Sequence, residues 1–99
     1  MGWSWPSRHT TGTRSYGAHA ELGDHLRKIA PRQDWQAVSV LFDRGSGDPF
    51  ELPPHQAADI ARAFTALAPL AGPTWARACY DLAASAGEAA RSNSTWSWT

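Results

Sequence analysis

The chain has a single cysteine, no net charge and no long apolar run, and each shortage removes a class of function. A lone thiol at Cys79 cannot close an internal disulfide, which argues against a disulfide-stapled secreted scaffold. Nine Lys and Arg balance nine Asp and Glu, so no dominant electrostatic grip on nucleic acid or anionic membrane is expected. No apolar stretch is long enough for a signal sequence or for the about 20 residues of a membrane span, and the expected location is the cytoplasm.

Catalytic signatures are equally scarce. The loop Asp43-Arg44-Gly45-Ser46-Gly47-Asp48 is glycine-rich, but it lacks the Lys-Ser/Thr of a phosphate loop and the Asp/Asn ladder of an EF-hand, so it reads as turn chemistry. Cys79 falls on an apolar helical stripe, the setting of a packed thiol and not of a nucleophile. Glu21 and His25 lie one helical turn apart with His19 nearby, a spacing that suits two metal ligands. No third ligand is evident, so no metal or cofactor is assigned; a small enzyme or metal site on the His19/Glu21/His25 face is the last of three readings.

What the sequence does have is helical periodicity. Ala57, Ile60, Ala61, Phe64, Leu67 and Ala68 recur at three-and-four spacing, and Pro54 suits a first helical position, so a helix is expected over 54–68 with Pro69 as its stop. Gln56 is placed to act as half of a capping box, with Leu52 stapled onto Ala57. Gly72-Pro73 then opens a second helix over 73–91, with Trp75, Cys79, Leu82, Ala86 and Ala90 along one stripe. These two Ala-rich helices form the hairpin around which the chain is organised, anchored by Phe64, Leu67, Trp75 and Leu82. A third helix is expected over about 16–30 from Ala18, Leu22, Leu26 and Ile29, with Arg27 and Lys28 favourably near its carboxyl end and Gly23 costing roughly 1 kcal/mol against Ala.

Trp35 to Phe42 reads as a central strand, apolar on both faces, joined by a hairpin to Phe50-Glu51-Leu52. Residues 6–15 read as a polar loop or arm. Trp3-Ser4-Trp5 and Trp96-Ser97-Trp98 place four of six tryptophans at the chain ends, and large aromatics are poor material for a loose tail, so 3–5 and 95–98 are expected to be ordered, either as edge strands of the sheet or as segments folded over it. The class is α+β: one domain over 1–99, a small antiparallel sheet packed against three helices.

Several short blocks carry a resemblance: Met1-Gly2-Trp3, Asp34-Trp35, Gly47-Asp48-Pro49-Phe50, Leu52-x-Pro54-x-Gln56-Ala57-x-x-Ile60-Ala61, Thr74-Trp75 and Trp96-x-Trp98. Together they make the chain similar to a small uncharacterised actinobacterial family, a domain of unknown function, with Ser4-Trp5-Pro6 departing from its pattern. That resemblance implies no activity and no functional residue.

Functionally the residues point first to a non-enzymatic interaction module that binds a protein partner, or a second copy, through aromatic surface or an exposed helix face. Residues 1–33 carry five basic and two acidic groups, +3, leaving −3 for the rest, an asymmetry that a homodimer can set face to face. The alternative is single-stranded nucleic-acid binding through Trp3, Trp5, Arg8, His9, Arg14 and Tyr16, which mix stacking planes with cations. A helix-turn-helix is disfavoured, because the connection is long and Arg77 is the only early base in its second helix. Candidate binding residues are Trp3, Trp5, Arg8, Arg14, Tyr16, Trp96 and Trp98.

Overall fold

The computed structural model describes residues 2–6, 11–43 and 49–99. In chain order these form β1 (Gly2–Pro6), β2 (Thr11–Ser15), α1 (Tyr16–Ile29), α2 (Arg32–Val38) continued by a 3-10 turn (Ser39–Leu41), β3 (Phe50–Leu52), α3 (Pro54–Ala71), α4 (Pro73–Arg91) and β4 (Trp96–Trp98). The α+β class holds, with helices dominating.

The α3–α4 hairpin is built as its periodicity predicts. Ala57, Ile60, Phe64, Leu67 and Ala68 are buried on α3, and Cys79, Leu82 and Ala86 on α4. Pro54 occupies the first position of α3, but Pro53 precedes it and no side chain caps the helix, so the Gln56 capping box does not form. Pro69 does not stop α3. The N–H it lacks would have bonded the Thr65 carbonyl, and Thr65 is exposed, so water can serve that oxygen and the helix continues. Gly72 ends it instead, at φ 86°, a conformation open to glycine, and the same residue precedes Pro73 at the start of α4. Trp75 is half-buried and stacks on His25 at 5.5 Å, so it seals the edge of the hairpin and is not one of its core anchors.

Helix α1 begins where Ser15 Oγ accepts from the Ala18 N–H at 3.1 Å. Gly23 on α1 has a packing reason: a Cβ there would lie 2.7 Å from Phe42 Cδ1 and 2.8 Å from Cγ. The absent side chain is the seat of the Phe42 ring.

Residues 35–42 are not a strand. They complete α2 and its 3-10 turn, with Val38 and Leu41 buried three apart and Trp35 half-buried at the same spacing. A short run apolar on every side fits either period, and docking against α3 selects the helical one. The expected hairpin from 35–42 to β3 is therefore absent: β3 pairs with β4, antiparallel, Phe50 opposite Trp98 and Leu52 opposite Trp96. The expected polar arm over 6–15 is corrected in part. Pro6 belongs to β1 and 11–15 is β2, paired antiparallel with β1, Trp3 opposite Arg14 and Trp5 opposite Gly12. Residues 7–10 and most of the 43–48 loop lie outside the described residues.

The two ribbons are joined. Ser4 N–H donates to the Thr99 carbonyl at 2.7 Å and Thr99 N–H to the Ser4 carbonyl at 2.8 Å, the reciprocal exchange of a narrow antiparallel pair. The spatial order is thus β2, β1, β4, β3, so the terminal strands are not the edge strands expected: pairing with each other puts them in the middle. A left-handed turn at the end of α4 delivers β4 to its place. Asn93 takes φ 51°, its N–H bonds the Ala90 carbonyl at 3.1 Å, and the Ser94 N–H bonds the Ala89 carbonyl at 2.9 Å, a Schellman arrangement.

Candidate functional site

The alternation Trp-Ser-Trp at each end sets its indoles on one face of the sheet and its serines on the other. Trp3, Trp5, Trp96 and Trp98 are all buried, with Phe50 and Leu52 beside them from β3. Trp98 is the hub: Trp5 lies 4.9 Å away ring to ring, Trp96 5.2 Å, His19 5.4 Å, Phe50 5.5 Å and Trp3 6.1 Å. Tyr16, half-buried at the start of α1, meets Trp3 edge to face at 5.4 Å. Trp96 Nε1 donates to Ser85 Oγ on α4 at 2.8 Å, whereas Trp98 Nε1 finds no hydrogen-bond partner among the described residues. The terminal indoles are therefore ordered, as expected, and they face inward.

This arrangement distributes the candidate binding residues unevenly. Trp3, Trp5, Trp96 and Trp98 converge with Tyr16 into one aromatic core. Arg14 lies in β2 opposite Trp3, with its backbone alone described, and Arg8 and His9 lie outside the described residues. Indole faces engaged with one another present no plane to a nucleotide base.

The three α1 residues considered for a metal diverge. His19 is buried, its Nε2–H donating to the Leu41 carbonyl at 2.7 Å while its ring stacks on Phe42 at 4.5 Å. His25 Nε2–H donates to the Ala71 carbonyl at 2.8 Å, serving one of the last carbonyls of α3. Glu21 is exposed. Among the described residues no group of three His, Cys, Asp or Glu side chains is placed to hold a metal ion. Both imidazoles instead tie helix α1 to its neighbours.

Two further features lie on the surface of the described residues. An open cleft of about 450 Å³ runs between α2 and α3, lined by Gln33, Gln36, Gln56 and the exposed Asp59–Arg62 ion pair. The sheet also has two unlike edges. β3 is three residues long, carries exposed Glu51 and sits between Pro49 and Pro53, the features that keep an edge from pairing. β2 is five residues, Thr-Gly-Thr-Arg-Ser, with no proline.

The direction of β2's free groups follows from the Ser4–Thr99 pair. Ser4 turns its N–H and C=O toward β4, so Trp3 and Trp5 turn theirs toward β2 and bond Arg14 and Gly12. Thr13, opposite Ser4, then points its N–H and C=O away from β1, as does Thr11, and among the described residues no strand lies on that side. Sequence reasoning missed this edge, because Thr-Gly-Thr-Arg-Ser has no apolar alternation; its Thr content was the only signal.

No curated protein and no solved structure matches the chain. A family model does match, over residues 7–99, and that span covers every described element after β1. The chain belongs to the family described as a domain of unknown function (DUF7739).

Proposed function

We propose that this domain is a non-enzymatic interaction module that binds a polypeptide, either a protein partner or a second copy, and that its contact element is the open edge of β2. The tryptophans expected to form the contact surface act from beneath: packed on one another, they hold β1 rigid, and β1 holds β2. The observation that carries the reading is the difference between the two edges: β3 is flanked by two prolines and carries a carboxylate, whereas β2 has no proline and no strand among the described residues pairs with its outer side. Strand addition takes its affinity from main-chain hydrogen bonds and so needs no exposed aromatic. The cytoplasm is the compartment we propose, in keeping with a single cysteine; among the described residues no helix is long and apolar enough to cross a membrane.

A photo-crosslinking amino acid at position 13, expressed in an actinobacterial host as the family resemblance suggests, tests the reading. The expected result is a covalent adduct with a polypeptide, either this chain or another, and a much weaker one from position 51 on β3. Absence of any polypeptide adduct at position 13 would overturn it.

A further inference from the structure

We infer that the occupant of the β2 edge is the β2 edge of a second copy, paired antiparallel about a two-fold axis through Thr13. This rests on the reading above and narrows it to one partner. The free groups fall at alternate residues, Thr11 and Thr13 with both N–H and C=O, and Ser15 with its N–H, since its carbonyl enters helix α1. They are therefore symmetric about position 13. Antiparallel pairing sets Thr13 opposite Thr13 of the second copy as a narrow pair and Ser15 opposite Thr11, closing four main-chain bonds with no shift of register. Gly12 then falls opposite Arg14, so the one charged residue of the strand meets a glycine and not its own copy.

The remaining observations agree with a symmetric pair. Pro6 shares the phase of Ser4, which puts its missing N–H on the side away from β2 and leaves the β1–β2 ladder complete under the joint. The product is a continuous sheet in which both shielded β3 edges lie outermost, a closed assembly that does not grow further. A joint of this size lies below the roughly 1,200 Å² of stable interfaces, so the dissociation constant is expected in the micromolar range.

Sedimentation velocity across a micromolar to millimolar series tests the inference. The expected result is a concentration-dependent rise from the 10.8 kDa monomer toward twice that mass. Thr13→Pro removes an outward N–H and leaves the bonds to β1, and Thr13→Glu sets two carboxylates opposite each other; both should raise the dissociation constant about tenfold or more. Their far-UV circular dichroism and melting should match the parent. Should Thr13→Pro fail to fold, Thr13→Glu carries the test alone. Thr13→Cys provides a positive readout: a narrow pair holds its Cα atoms about 5.5 Å apart, so a short thiol-to-thiol crosslinker should give a covalent dimer. A parent chain monomeric throughout the series, or dissociation constants unmoved in both variants, would overturn the inference. If that happens while position 13 still crosslinks to a different polypeptide, the interaction reading survives and only the choice of partner falls.

Discussion

Replacing Gly23 by Ala should destabilise the domain, although helix propensity alone predicts the reverse. Alanine in a helix interior gains about 1 kcal/mol over glycine. At position 23 the added Cβ would meet Phe42 at 2.7 Å from Cδ1, 2.8 Å from Cγ and 3.1 Å from Cβ, contacts too short to persist. Relief requires moving the root of the Phe42 side chain, which rotation about χ2 cannot do. The ring is also held between His19, 4.5 Å away, and Trp35, 5.8 Å away. Overpacking of this kind costs about 1–3 kcal/mol, and disturbing an aromatic pair adds about 0.5–1.5 kcal/mol. The net is a loss of about 1–3 kcal/mol, or a Tm lower by roughly 4 °C or more for a domain of this size. Thermal and urea unfolding followed at 222 nm measure it. Gly17→Ala is the control, since nothing lies within 4 Å of a Cβ there; it should be neutral or stabilising by up to about 1 kcal/mol. Trimming Phe42 to Ala, which removes Cγ and Cδ1, should make the Gly23→Ala change less costly than in the parent, a coupling of about 1 kcal/mol in a double-mutant cycle. A Gly23→Ala protein that melts higher than the parent would refute the packing argument.

Further tests address the aromatic core. Trp98→Ala should cost about 3–5 kcal/mol in chemical denaturation, because a fully buried ring at the hub is lost; a cost below 1 kcal/mol would mean that the hub is not packed as described. Trp96→Phe loses the bond to Ser85, while Trp98→Phe removes an indole N–H with no partner among the described residues. Trp98→Phe should therefore be milder by about 1 kcal/mol, and the opposite order would contradict the hydrogen-bond assignment. Short single-stranded oligonucleotides should show no salt-sensitive micromolar binding by anisotropy, since Trp3 and Trp5 are buried; binding abolished by Trp3→Ala with the fold intact would revive the stacking alternative.

The helices were legible because each carries its own period and its own ends. Ile60, Phe64 and Leu67 line one face of α3 whatever surrounds them, and Gly72-Pro73 marks a boundary by backbone chemistry alone. The ordered termini were legible too, since four indoles could not remain in solvent at acceptable cost. The strand assigned to 35–42 failed because Val38 and Val40 are β-branched but Trp35, Val38 and Leu41 are equally spaced for a helix. Only the surface of α3, distant in sequence, decides between them. Strand β2 was hidden for the same reason: Thr11 to Ser15 are extended because β1 lies beside them, and β1 is fixed by Trp98 and Thr99 at the other end of the chain. The candidate edge is thus a tertiary product, readable once the Ser4–Thr99 pair sets the phase of the sheet.

Amide hydrogen exchange at Ser4 and Thr99 probes that phase most directly. Joined to each other in the middle of the sheet, both amides should be protected to a degree approaching that of the α3 core amides, such as Leu67, with Gly12 and Arg14 slowed and Thr13 exchanging freely in dilute solution. Exchange of Ser4 and Thr99 at the rate of an unstructured peptide would mean that the two ends do not meet, and β2 would then have no fixed edge to offer.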